Sequence, residues 1–157
     1  MFDAFKALLS AFNAHNVKYL IVGGYAVSLY AQPRATKDSD VWIKADPGNA
    51  HAIYHALASF GAPLTGVSES DFADPRKFIR FGTAPIAVDI LPGIDGVGFD
   101  AAWGRREEVL IDPARNLRAF FISKEDLIAA KLAAGRMRDL ADVEEIRQAE
   151  AEQADGE

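Results

Sequence analysis

The 157-residue chain contains no cysteine. That excludes disulfides, thiolate zinc sites and a cysteine nucleophile, and it fits a cytoplasmic protein. No apolar run approaches the roughly 20 residues needed to span a membrane. Polar residues recur through the first 13 positions, so no signal-peptide pattern is expected there. Positive charge is in deficit: 17 Lys and Arg face 23 Asp and Glu, for a formal net charge of -6. This argues against a broad, sequence-independent nucleic-acid surface but leaves room for a local basic cleft. Internal repeats are absent. The only biased segment is acidic, residues 150–157, and it is expected to fray.

What is present is ordinary for a globular protein. Half the residues are hydrophobic and a quarter are charged, and the length suits one domain with a sizeable core, here residues 1–149. Phe5, Leu8, Leu9 and Phe12 recur at helical spacing, predicting an amphipathic helix from Asp3 to Ala14 with Asp3 as a plausible cap. Asp46-Pro47 opens a second helix that runs to Phe60 and stops at Gly61. His51 and His55 lie four apart on it, a spacing able to hold a metal. No third ligand is evident in the sequence, so a solvated helix face is the expectation.

The chain is organised around residues 19–46. Tyr19 to Val22 reads as a buried strand, broken by Gly23-Gly24. A short helix, Tyr25 to Tyr30, ends before Pro33. Arg34, Thr36 and Lys37 follow, and then Asp38 and Asp40 open a strand through Val41 to Lys44. Residues two apart on a strand share a face. Asp38 and Asp40 would therefore aim two carboxylates into one space, about 7 Å apart at a rise of ~3.3 Å per residue. Like charges that close call for a cation between them. Magnesium, which favours oxygen ligands and phosphate-bearing substrates, is the natural candidate. The Gly23-Gly24 turn offers backbone N–H groups at a helix start, which suits an anion. A tight turn and a polar strand opening are the plain alternatives for each motif taken alone.

Residues 65–75 read as loop, with Arg76, Lys77 and Arg80 making the following stretch basic. These cations suit either a solvated surface or contact with a phosphate or a polynucleotide. Phe78 to Phe81 and Ile86 to Leu91 predict two strands joined by Gly82-Thr83-Ala84-Pro85. Asp89 is the one charged residue in its apolar strand. Such a carboxylate needs a cation, a hydrogen-bond network or a functional site. A glycine-rich loop, Pro92 to Gly98, lacks the spacing of a dinucleotide fingerprint or a P-loop. A helical turn at Phe99 to Trp103 and two short strands, Glu107 to Ile111 and Arg118 to Ile122, come next. Ser123 caps a helix bearing Leu127, Ile128, Lys131 and Leu132, with Asp126 as a capping-box analogue, and Gly135 interrupts it. A polar helix from Leu140 to about Ala149 completes the pattern. Lys131, Arg136 and Arg138 suit a triphosphate, or equally pairing with Asp139, Asp142 and Glu145.

As a set, Gly23-Gly24, Arg34-x-Thr36-x-Asp38-x-Asp40, the lone Asp89 in Ala-Val-Asp-Ile-Leu, and Lys131…Arg136-x-Arg138-Asp139-x-x-Asp142 resemble a minimal nucleotidyltransferase of the DNA polymerase beta superfamily. The resemblance covers about residues 17 to 146. Its C-terminal helix signature particularly resembles the small bacterial proteins grouped with toxin–antitoxin and abortive-infection nucleotidyltransferases. Two departures stand out. Gly23-Gly24-Tyr25 replaces the common Gly-Ser turn, removing a serine contact to phosphate. Ala31-Gln32 stands where relatives often have His-Gly before the proline.

The resemblance implies an α+β fold with a small mixed or antiparallel sheet flanked by helices, and helices at the C-terminus. It implies transfer of a nucleoside monophosphate from an NTP, ATP among them, to a hydroxyl of RNA (tRNA included), a protein or a small molecule. Asp38, Asp40 and Asp89 would be the catalytic carboxylates and would hold two magnesium ions. Gly23, Gly24, Arg34, Thr36, Lys37, Lys131 and Arg138 would bind the nucleotide. The alternative is a binding module of the same fold, one half of a toxin–antitoxin pair whose partner is a cognate toxin or antitoxin protein.

Overall fold

The computed structural model describes residues 1–36, 38–82 and 87–156; of Asp38 it describes the backbone alone. Helix α1, Asp3–Ala14, buries Phe5, Leu8, Leu9 and Phe12, the face that the helical period marks. Its N-cap is Phe2, not Asp3, and no side chain caps it. Asp3 instead places its charge in the first turn, where the helix dipole favours an anion.

Strand β1, Tyr19–Val22, is buried throughout. Helix α2 spans Gly23–Tyr30 and so begins two residues before the sequence suggests. Strand β2 is Asp38–Ile43. Helix α3, Pro47–Phe60, starts where Asp46 accepts the Asn49 N–H and ends at left-handed Gly61. The segment read as loop contains a 3-10 turn, Glu69–Ala73, anchored by buried Phe72 and by a reciprocal capping box between Ser68 and Asp71. Strands β3, Ile79–Phe81, and β4, Ala87–Leu91, pair antiparallel. Residues 83–86 of their expected connection lie outside the described residues.

Helix α4, Phe99–Gly104, precedes β5, Glu107–Asp112, and β6, Leu117–Phe121. Helix α5, Lys124–Ala134, is capped by Ser123, which accepts the Asp126 N–H, and stops at left-handed Gly135. Asp126 does not close the capping box. Its carboxylate is forked by Arg105 at 2.9 and 3.0 Å. Helix α6 runs from Met137 to Gly156, so the acidic stretch continues it as helix.

The six strands form one sheet in the order β3-β4-β2-β1-β6-β5. The β2–β4 and β1–β6 pairs are parallel and the others antiparallel, giving the mixed sheet of an α+β fold. Trp42, Tyr19, Phe12 and Ile53 are among the large side chains wholly removed from water. Each such burial contributes about 1.5–3 kcal/mol. Trp42 meets the edge of Phe99, which seats α4 on β2. No helix among the described residues is long and apolar enough to cross a membrane.

Candidate active site

The β1–α2 junction is shaped by what lies beside it. Gly23 has φ +69°, and a Cβ there would overlap Oδ2 of Asp40 and come within 2.9 Å of its Cγ. At Gly24 a Cβ would sit 2.7 Å from Oγ1 of Thr36. The two glycines thus let backbone touch the Arg-x-Thr-x-Asp-x-Asp segment directly. The first N–H groups of α2 have no intrahelical partners, and they open beside that segment.

Strand β2 lies between β1 and β4. Asp40 is in register with Val22 on one side and with Asp89 on the other. Asp38 is in register with Ala87. Lys37 and the side chain of Asp38 lie outside the described residues.

Asp89 is buried, and its partner is Arg80, directly opposite on β3. The guanidinium forks the carboxylate, with Nε donating to Oδ1 at 2.6 Å and Nη2 to Oδ2 at 2.9 Å. The fork supplies the cation that a buried carboxylate demands, from a residue on the strand expected to precede that of Asp89.

Opposite the strands, α5 and α6 bring up a second set of charges. Lys131 reaches Asp142 at 2.8 Å and Asp139 at 3.5 Å, and Arg136 reaches Asp139 at 2.7 Å. Arg34 donates to Asp142 at 2.9 Å and so ties the segment after α2 to α6. Arg138 lines the same cleft and makes no ion pair with a described residue. The cleft enclosed by these elements has a volume of about 590 Å3 and includes Gly23, Gly24, Asp40 and Asp89 in its walls. Asp95, from the loop after β4, also lines it.

Burial works to raise the pKa of Asp142, but hydrogen bonds from Arg34 and Lys131 outweigh it and hold the carboxyl below the ordinary 3.8. Asp139 is held low chiefly by its hydrogen bond from Arg136. A carboxyl depressed in the folded state stabilises the fold above its unfolded pKa, and that stabilisation is lost as pH falls through the folded value. Stability conferred by these pairs is therefore expected to be complete at neutral pH and to fade below about pH 4. Asp142→Asn should lower the urea midpoint at pH 7, with the gap to wild type closing as the pH drops below 4. A gap independent of pH would assign the loss to packing.

The donor set of the cleft floor suits a hard divalent cation. Asp40 and Asp89 are register neighbours that both line the cleft, and each carboxylate oxygen of Asp89 accepts one bond from Arg80, which leaves a further lone pair on each. Neither cysteine nor histidine lines this cleft.

Over residues 1–151 the chain matches the family described as nucleotidyltransferase of unknown function (DUF6036). The chain belongs to that nucleotidyltransferase family. No curated protein matches it. Among solved structures, the lincosamide antibiotic adenylyltransferase LnuA with lincomycin bound is similar. The two share 15% identity and a TM-score of 0.57, with 94% of this chain and 96% of that one covered. At that identity the likeness shows the fold. The nucleotidyltransferase fold is the one that the glycine turn and spaced aspartates imply.

Proposed function

We propose that this family member moves a nucleoside monophosphate from an NTP to an acceptor hydroxyl, with magnesium held by Asp38, Asp40 and Asp89. The observation that carries this reading is the register of Asp40 beside Asp89, with the N-terminus of α2 packed against Asp40. Magnesium bound there would polarise the phosphoryl group and lower the pKa of an attacking hydroxyl.

The chain's own residues do the rest. The first N–H groups of α2 receive phosphate oxygens. Gly23 permits their approach, and Thr36 braces Gly24. Arg138 offers the triphosphate a cation, a role to which it is better suited than Lys131, whose charge already serves Asp139 and Asp142. Arg34 braces the cleft by holding α6, and Lys37, next to Asp38 in sequence, brings a further positive charge to that segment. Asp89, adjoining both the floor and Arg80, is placed to accept the proton of the acceptor hydroxyl. The transferred phosphorus gains the acceptor oxygen and loses pyrophosphate.

RNA, a protein and a small molecule are the acceptor classes. A small molecule is favoured by the near-complete mutual coverage with an adenylyltransferase named for its antibiotic. The second reading, a binding module paired with a toxin or antitoxin, draws on the exposed Leu132, Met137 and Leu140 around the α5–α6 turn.

A thermal titration with each NTP, with and without magnesium, tests the donor site. Ligand at 100 times its Kd stabilises by about 2.7 kcal/mol, which should raise the midpoint by roughly 5–11 °C. The expected result is a magnesium-dependent rise for at least one NTP, ATP first, that Asp40→Asn removes. No rise with any NTP, together with a partner protein that still binds Asp40→Asn, would favour the binding module.

A further inference from the structure

Outside the cleft lining, two histidines and a carboxylate converge on the exposed face of α3. His51 and His55 are one turn apart, with ring centroids 4.3 Å from each other. The third group is Glu69, on the 3-10 turn packed against α3 and 18 residues from His51 in sequence. One of its oxygens, Oε1, lies 2.7 Å from His51 Nδ1 and 3.8 Å from His55 Nε2. The three ligand atoms all lie within 4.8 Å of one another. Sequence alone shows the His-x-x-x-His spacing and misses the acid, because the turn that carries it folds back from a separate element.

We propose that His51, His55 and Glu69 form a second metal site, specific for a zinc-class transition ion and separate from the nucleotidyl-transfer centre. The geometry lies close to what such an ion needs. Bonds of about 2.0–2.2 Å in a tetrahedron set ligand atoms about 3.3–3.6 Å apart. Closing the present spacings takes adjustments of order 1 Å in exposed side chains, which rotamer freedom allows.

The backbones beneath are fixed. Helix α3 buries Ala50, Ile53, Ala56 and Leu57, and Phe72 anchors the turn beside Glu69. Imidazole nitrogen selects zinc, nickel or copper over magnesium. Among the described residues, the metal-ligating groups of the cleft are carboxylates, so the two sites would sort ions by donor type. Three protein ligands leave the fourth position to water or to an incoming group, and the ion would staple the 61–78 segment to α3.

Calorimetry with zinc chloride on tag-free protein, in saturating magnesium to occupy the cleft carboxylates, tests the site. One ion per chain is expected for the wild type. His55→Ala should weaken binding by more than the roughly 10–100-fold that follows loss of a mere outer-shell partner. Glu69→Gln, which preserves shape but not charge, should weaken it as well. Cobalt in place of zinc should show the visible bands of a tetrahedral site in the wild type and lose them in His55→Ala. All three side chains are exposed, so unchanged circular dichroism is expected in each variant. Failure of the wild type to take up zinc, or equal binding by both variants, overturns the proposal. Neither result bears on nucleotide binding in the cleft.

Discussion

Asp40→Asn and Asp89→Asn are each expected to lower magnesium-dependent nucleotidyl transfer by about 10³-fold, which corresponds to roughly 4 kcal/mol of lost transition-state stabilisation. The substitutions keep size and shape and remove one charge each. The two carboxylates are register neighbours on β2 and β4, so neither can replace the other in holding a cation between them. Stability should change little by comparison. Arg80 is half exposed, so loss of its charged partner at Asp89 leaves a guanidinium that water can solvate. Pyrophosphate release from labelled NTP, set against thermal midpoints, separates the two effects. Transfer that persists within tenfold of wild type in both variants would remove these aspartates from the chemistry.

The second large effect belongs to Gly23→Ala. Two penalties coincide there. An L side chain at φ +69° costs about 1–2 kcal/mol, and the new methyl would collide with the Asp40 carboxylate. The β1–α2 turn or Asp40 must then move, and displacement of a catalytic group by 1 Å costs on the order of 10²-fold in rate. Loss of about 1–3 kcal/mol of stability and at least about 100-fold of activity is expected. Gly61→Ala is the control. Gly61 also has positive φ, but a Cβ there meets nothing within 4 Å and the position lies at the end of α3. It should lose stability without losing activity. Equal activity losses in the two variants would show that strain alone, not contact with Asp40, explains Gly23.

How much of this is legible in the sequence depends on distance along the chain. Helix α3 is readable end to end because its cap, its first-turn proline and its terminal glycine are local chemistry. The same holds for Ser123 and Gly135 around α5. The glycine turn and the spaced aspartates are readable because a single strand–turn–helix–strand unit carries them. Asp89 announces itself by being charged in an apolar strand.

Partnerships are another matter. Arg80 and Asp89 lie nine residues apart on strands whose pairing the sequence suggests but whose register it leaves open, whereas Arg34 meets Asp142 from 108 residues away, by tertiary placement that no local pattern encodes. Glu69 escapes for the same reason. The extent of α6 misleads because its polar composition, which suggests fraying, is also that of a solvated helix face.

The tie from Arg34 to Asp142 has a consequence for how the protein comes into being. The glycine turn, Asp40 and Asp89 all leave the ribosome early, yet the wall facing them is supplied by α5 and α6, and β6 must slot beside β1 to complete the sheet. A chain ending before residue 142 would lack the Arg34–Asp142 tie and part of the wall that faces the carboxylates. Truncation ahead of α6 would therefore leave the acidic motif in place while removing much of the chamber that it lines.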